Sequence, residues 1–133
     1  MFSHLLSLRC SFAGLCAGLE APAISACEAA SLIDEFDALE RLAAGAKLAL
    51  IGRIDDSLPG AEGENGRARW LARHTGQSVT TASRDLETAA RLDRLPDTAG
   101  ALRSGALTAT QAHEVTSAAV LDPAAEVGLL ATP

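Results

Sequence analysis

Four arginines, Arg67, Arg69, Arg73 and Arg84, fall within residues 65–84, a stretch with no Asp or Glu. A guanidinium is a rigid fork of donors that matches phosphate oxygens, so a local charge of +4 is the chemistry of a polyanion contact. Gln77, Val79, Thr80, Thr81 and Ser83 lie among them. Their amide, hydroxyl and methyl groups are of the kind that address base edges. The same cations also suit an ordinary solvated helix face, and residue type alone does not separate the two readings.

The remaining reactive side chains form no such pattern. His4, His74 and His113 are scattered, and Cys10, Cys16 and Cys27 are odd in number, with no C-x-x-C pair. A structural zinc site or a disulfide framework is therefore not expected, and the thiols read as buried and reduced. His74 and Ser78 could mimic a base and a nucleophile one turn apart. No Gly-x-Ser-x-Gly elbow accompanies them, and a surface histidine is the simpler reading. Asp55, Asp56, Glu62 and Glu64 could attract a hard cation, but they lie in a glycine-rich segment of the kind that rarely holds one. His113 reads as solvated. No catalytic residue, metal ligand or cofactor is expected.

The 133 residues include 28 Ala and 20 Leu, no Tyr, three Phe and one Trp. That balance favours helix over sheet and excludes an all-β sandwich. The net charge of −6 argues at first against a nucleic-acid partner. It is an average, however. Residues 1–60 carry four basic and eight acidic groups, and residues 104–133 carry three acids and no base, so two acidic flanks enclose the arginine stretch.

Residues 1–27 read as an apolar helix over 2–19 that packs on the next one. The alternative is a weak export signal, with Arg9 as its basic end and Ile24-Ser25-Ala26-Cys27 as a lipoprotein-type cleavage box. Glu20 and Pro22 interrupt that core, and its longest charge-free run, residues 10–19, is too short to span a bilayer. A cytoplasmic chain with no membrane association is expected.

From residue 27 to about 56, Leu32, Phe36, Leu39, Ala43, Ala46, Leu50 and Ile54 recur in steps of three and four, one stripe of a long amphipathic helix. The stripe reads first as a core-facing surface. Its near-heptad spacing also permits self-association through Leu32, Phe36, Leu39 and Leu50, with Gly45 and Gly52 weakening the helix. Residues 57–66 are a loop by composition. Its Gly60, Gly63 and Gly66 do not make a phosphate loop, because no strand precedes them and Glu62 and Glu64 would repel an anion.

The next elements carry their own punctuation. A short helix over 67–74 ends at Thr75-Gly76, and a second begins after the N-cap residue Ser78 and stops at Leu95-Pro96. Two turns lead to Gly105, a left-handed C′ residue, and Thr108 with Gln111 forms a capping box for a helix through Ala112, Val115 and Ala119. Asp122-Pro123 opens a last helix toward Leu129 and Leu130. The fold class is thus all-α, a multi-helical domain with a long N-terminal amphipathic helix and a helix-turn-helix-like segment over 67–95. In that motif the second helix presents its N-terminal residues to base edges, and the first crosses the backbone. Arg67, Arg69 and Arg73 would then meet phosphate, and Gln77, Val79, Thr80, Thr81, Ser83 and Arg84 would read double-stranded DNA.

The pattern Trp70-Leu71-Ala72, Thr75-Gly76, Ser78, Ala82, Leu86, Ala89, Leu92, Leu95-Pro96, Ala101-Leu102, Gly105, Leu107-Thr108, Gln111-Ala112 and Asp122-Pro123 resembles the N-terminal helical domain of the 13E12 repeat family, domain of unknown function 222. The likeness extends over residues 28–133. In that family the domain usually precedes an HNH endonuclease module. The resemblance implies an HNH-associated targeting domain, and the chain reads as truncated before the nuclease. No residue here fits the histidine base, the metal ligands or the cysteine cluster of an HNH site. More loosely, residues 75–112 resemble the helix-turn-helix of chromosome-partition proteins, which again implies DNA binding. The alternatives are a structural or self-associating helical domain and a non-functional fragment of a longer protein.

Overall fold

The computed structural model describes residues 1–120 and 126–131. The chain is all-α, with seven helices and no strand among the described residues. They are α1 (Phe2–Ala17), α2 (Ala26–Ile51), α3 (Gly66–Thr75), α4 (Val79–Leu92), α5 (Pro96–Arg103), α6 (Ala109–Ala119) and α7 (Glu126–Leu130), with a short 3-10 turn at Ala21–Ala23. The chain divides into two compact units, Met1–Phe36 and Asp37–Pro133.

In the first unit α1 has apolar residues spread around it, with His4 and Arg9 among them, and buries no residue. It stops at Ala17, where the Gly18 N–H bonds back to the Gly14 carbonyl, two residues short of the expected end at Leu19. The expected packing on the next helix includes an edge-to-face contact, with the Phe12 and Phe36 rings 5.6 Å apart. Ser25 Oγ accepts from the Glu28 N–H at 3.2 Å and so caps the start of α2. Cys10, Cys16 and Cys27 are all free and exposed, against the expectation of buried thiols. A helix with no covering layer on its flanks leaves its cysteines in solvent. No helix among the described residues is long and apolar enough to cross a membrane.

The second unit is built around α4, which packs against α3, α5 and α6, while α7 closes on α5 and α6. Its core joins Leu48, Ile51, Leu71 and Leu102 to Ala68, Ala72, Ala82, Ala89 and Ala112. The alanine excess therefore has a structural use, since small side chains let helix axes approach closely. Trp70, Leu86, Leu92 and Leu107 pack around this cluster.

The face that α2 presents to this core is not the expected stripe. Gly45, Leu48 and Ile51 are buried, whereas Leu39, Ala43, Ala46 and Leu50 are exposed. The buried set lies on the opposite side of the helix, a half-turn away. Periodicity located an amphipathic helix correctly but could not tell which of two apolar sides met the protein. The helix also ends at Ile51, earlier than residue 56, and Ile54 packs on the core from the following turn.

The local punctuation is realised in detail. Gly76 (φ 73°) and Gly105 (φ 79°) take the left-handed conformation after α3 and α5. The Thr108–Gln111 capping box makes both reciprocal bonds, at 2.9 and 3.1 Å. Pro96 opens α5, where its missing N–H costs nothing. The expected Asp122 cap and Pro123 lie outside the described residues.

Polar side chains tie the helices together inside the unit. Thr88 Oγ1 and His113 Nδ1 meet at 3.0 Å between α4 and α6, and Arg91 donates to Ser117 Oγ at 3.1 Å along the same junction. His113 is thus half-buried and bonded rather than solvated. The helical ladder puts it on the side of α6 that faces Thr88.

Candidate nucleic-acid interface

The segment expected to resemble a helix-turn-helix is a helix, a tight turn and a second helix. α3 ends on the αL residue Gly76, whose N–H bonds to the Ala72 carbonyl at 2.9 Å. Two residues later the extended Ser78 starts α4, accepting from the Thr81 N–H at 3.1 Å and donating to Thr81 Oγ1 at 2.9 Å. Ser78 is therefore committed to a cap. His74, in turn, bonds through Nδ1 to the Trp70 carbonyl at 2.8 Å and stacks on the indole with centroids 3.9 Å apart. Neither side chain is arranged for nucleophilic chemistry.

At the N-terminal end of α4, Val79, Thr80, Thr81 and Arg84 are exposed, while Ala82 is buried against the core. Thr80 and Arg84, four residues apart, project on one line of the helix. Ser83 is half-buried and borders a separate depression with Arg67 and Glu87. Gln77 borders a shallow depression with Thr81, Arg84, Asp85 and Thr110, and its Oε1 is shielded and makes no hydrogen bond. A shielded carbonyl without a donor carries an unmet hydrogen-bonding capacity. Lys47 of α2 stands at the rim of this depression. Sequence reasoning missed Lys47 because it lies thirty-seven residues before Arg84 in an otherwise acidic region.

The three arginines of α3 divide from Arg84. Arg69 donates from Nη1 to the Glu64 carbonyl at 2.9 Å, and Arg73 from Nη2 to the Gly60 carbonyl, also at 2.9 Å. Both remain exposed, but each holds the 57–66 loop against α3. Arg67 lies beside Asp55, Asp56 and Ser57 on one side and Glu64 and Glu87 on the other. The stretch that is free of acids along the chain is thus not free of them in space. Loop carboxylates stand beside Arg67; Arg69 and Arg73 are held by backbone carbonyls; and Arg84 and Lys47 border one depression together with Asp85.

The acidic loop is self-organised. Asp55 accepts from both the N–H (2.9 Å) and the hydroxyl of Ser57, and these two bonds hold its carboxyl below the usual carboxylate range. Glu62 Oε2 accepts from the Gly60 N–H at 2.8 Å. These carboxylates serve the loop's own turns. Among the described residues, no three His, Cys, Asp or Glu side chains gather as a metal-binding group.

No protein family, characterised protein or solved structure matches the chain.

Proposed function

We propose that the second unit, Asp37–Pro133, is a double-stranded-DNA-binding module that enters the major groove with the N-terminal end of α4. In this reading it is kin to the helical domain that precedes HNH nucleases in the 13E12 repeat family, and it has no nuclease site of its own. The observation that carries the proposal is the polar end of α4, where Thr80, Thr81 and Arg84 are exposed beyond a glycine corner. Arg84 is suited to a guanine edge or a phosphate, whereas Gln77, with its Oε1 shielded, does not present the two-atom amide edge that adenine needs. Lys47 adds a phosphate contact from α2. Arg69 and Arg73 stabilise the loop that braces α3, and Arg67 contributes less than its charge implies because acids surround it.

The test is fluorescence anisotropy of the full chain against a labelled duplex over a range of salt. Binding that weakens steeply with salt is expected, and Arg84→Ala and Lys47→Ala should each reduce the salt slope by up to about 1. A folded chain that binds no duplex at low salt would overturn the proposal.

A further inference from the structure

We propose that the outward face of α2, over residues 39–50, binds a second copy of this chain as a short antiparallel pair of helices. The inference does not depend on DNA binding.

Leu39, Ala43, Ala46 and Leu50 follow one another in steps of 4, 3 and 4, the spacing of a heptad seam. They face away from the core of their own unit, which takes the opposite side of the helix through Gly45, Leu48 and Ile51. Leu39 and Leu50 are 47% and 66% exposed, and Leu42 beside them is 44% exposed. Leu39 and Leu50 are large apolar side chains, regularly spaced with Ala43 and Ala46 on a face that the core of their own unit leaves uncovered, and such a stripe calls for a partner.

Self-complementarity identifies that partner. A two-fold axis crossing the helix between Ala44 and Gly45 sets Leu39 against Leu50 of the second copy, and Ala43 against Ala46 of the second copy, each twice. The same operation sets Leu42 against Ala49 of the second copy on one flank. On the other flank it sets Glu40 against Lys47 of the second copy, again twice. Glu40 and Lys47 are both exposed, and neither belongs to an ion pair within the chain among the described residues. The central alanines allow close approach of the two axes, and the two-fold arrangement closes without an open end. A parallel pairing would instead oppose Glu35 and Glu40, a repulsive contact at the positions that set orientation.

The seam is only about 17 Å long at 1.5 Å per residue. It falls well short of the roughly 800 Å² per partner of a standard interface. The pairing is therefore a weak, reversible one that depends on protein concentration.

Sedimentation velocity of the full chain under reducing conditions, from a few to several hundred micromolar, tests the pairing. A monomer–dimer equilibrium is expected. Leu50→Glu should weaken it more than tenfold, with helicity by circular dichroism unchanged because the position is exposed. Glu40→Lys alone and Lys47→Glu alone should each weaken the dimer about tenfold, and the double exchange Glu40→Lys/Lys47→Glu should restore it. A strict monomer throughout the range would overturn the inference. So would a dimer indifferent to Leu50→Glu, or one that the double exchange fails to rescue. Leu50→Glu distinguishes failure here from failure of DNA binding, since Leu50 lies outside the proposed duplex contact whereas Lys47 serves both readings.

Discussion

Gly45 in α2 rests directly on the backbone of Leu102 at the end of α5: a methyl group at Gly45 would lie 2.3 Å from the Leu102 carbonyl oxygen and 2.9 Å from its carbonyl carbon. Helix α2 thus meets the α5 end of the core through bare backbone.

Gly45→Ala is therefore expected to destabilise the second unit by about 1–3 kcal/mol. The overpacking cost exceeds the roughly 0.5–1 kcal/mol gained in helix propensity. Gly100→Ala is the control, because nothing lies within 4 Å of its added methyl and its backbone is ordinary helix. That variant should stabilise by about 0.5–1 kcal/mol. Urea titration followed by circular dichroism reads both, and equal signs for the two variants would contradict the close approach.

Glu126 of α7 closes the start of α5. Its buried Oε1 accepts from the Thr98 backbone N–H at 2.7 Å and from Thr98 Oγ1 at 2.8 Å. Glu126→Ala should cost about 1–3 kcal/mol by leaving these buried donors unmet, and Glu126→Gln, which keeps a carbonyl acceptor, should cost less. Thermal unfolding of the two variants gives the ordering.

The loop carboxylate Asp55 predicts a pH dependence. Its pKa in the folded protein lies below the model-peptide range because Ser57 donates to it twice. The stabilisation of the turn is thus fully present above the unfolded-state pKa and is lost as the pH falls through the folded-state value. An NMR titration should find Asp55 below 3.8, and Ser57→Ala should raise it toward that value by removing the hydroxyl donor, the larger of the two causes.

In duplex binding, Arg84→Ala should reduce affinity more than Arg73→Ala. The Arg84 guanidinium makes no ion pair among the described residues, whereas Arg73 is bonded to the Gly60 carbonyl. Arg73→Ala should instead loosen the 57–66 loop, seen as faster amide exchange there. Equal losses of affinity would place α3 on the duplex as firmly as α4.

The residue order by itself determined the helical class and most helix boundaries in the second unit. Caps, glycine stops and prolines act within four or five residues of chain, so the Ser78 cap, the Gly76 and Gly105 turns and the Thr108–Gln111 box are all written locally. The corner between α3 and α4 and the exposed Thr80, Thr81 and Arg84 were legible for the same reason. Only the tertiary structure decided which side of α2 meets the core, that Arg69 and Arg73 hold a loop, that His113 bonds Thr88, and that Lys47 joins Arg84. Each of these depends on groups far apart in sequence and brought together by packing. Charge density along a chain does not predict charge density in space, and a helix with two apolar sides does not announce which one it will bury.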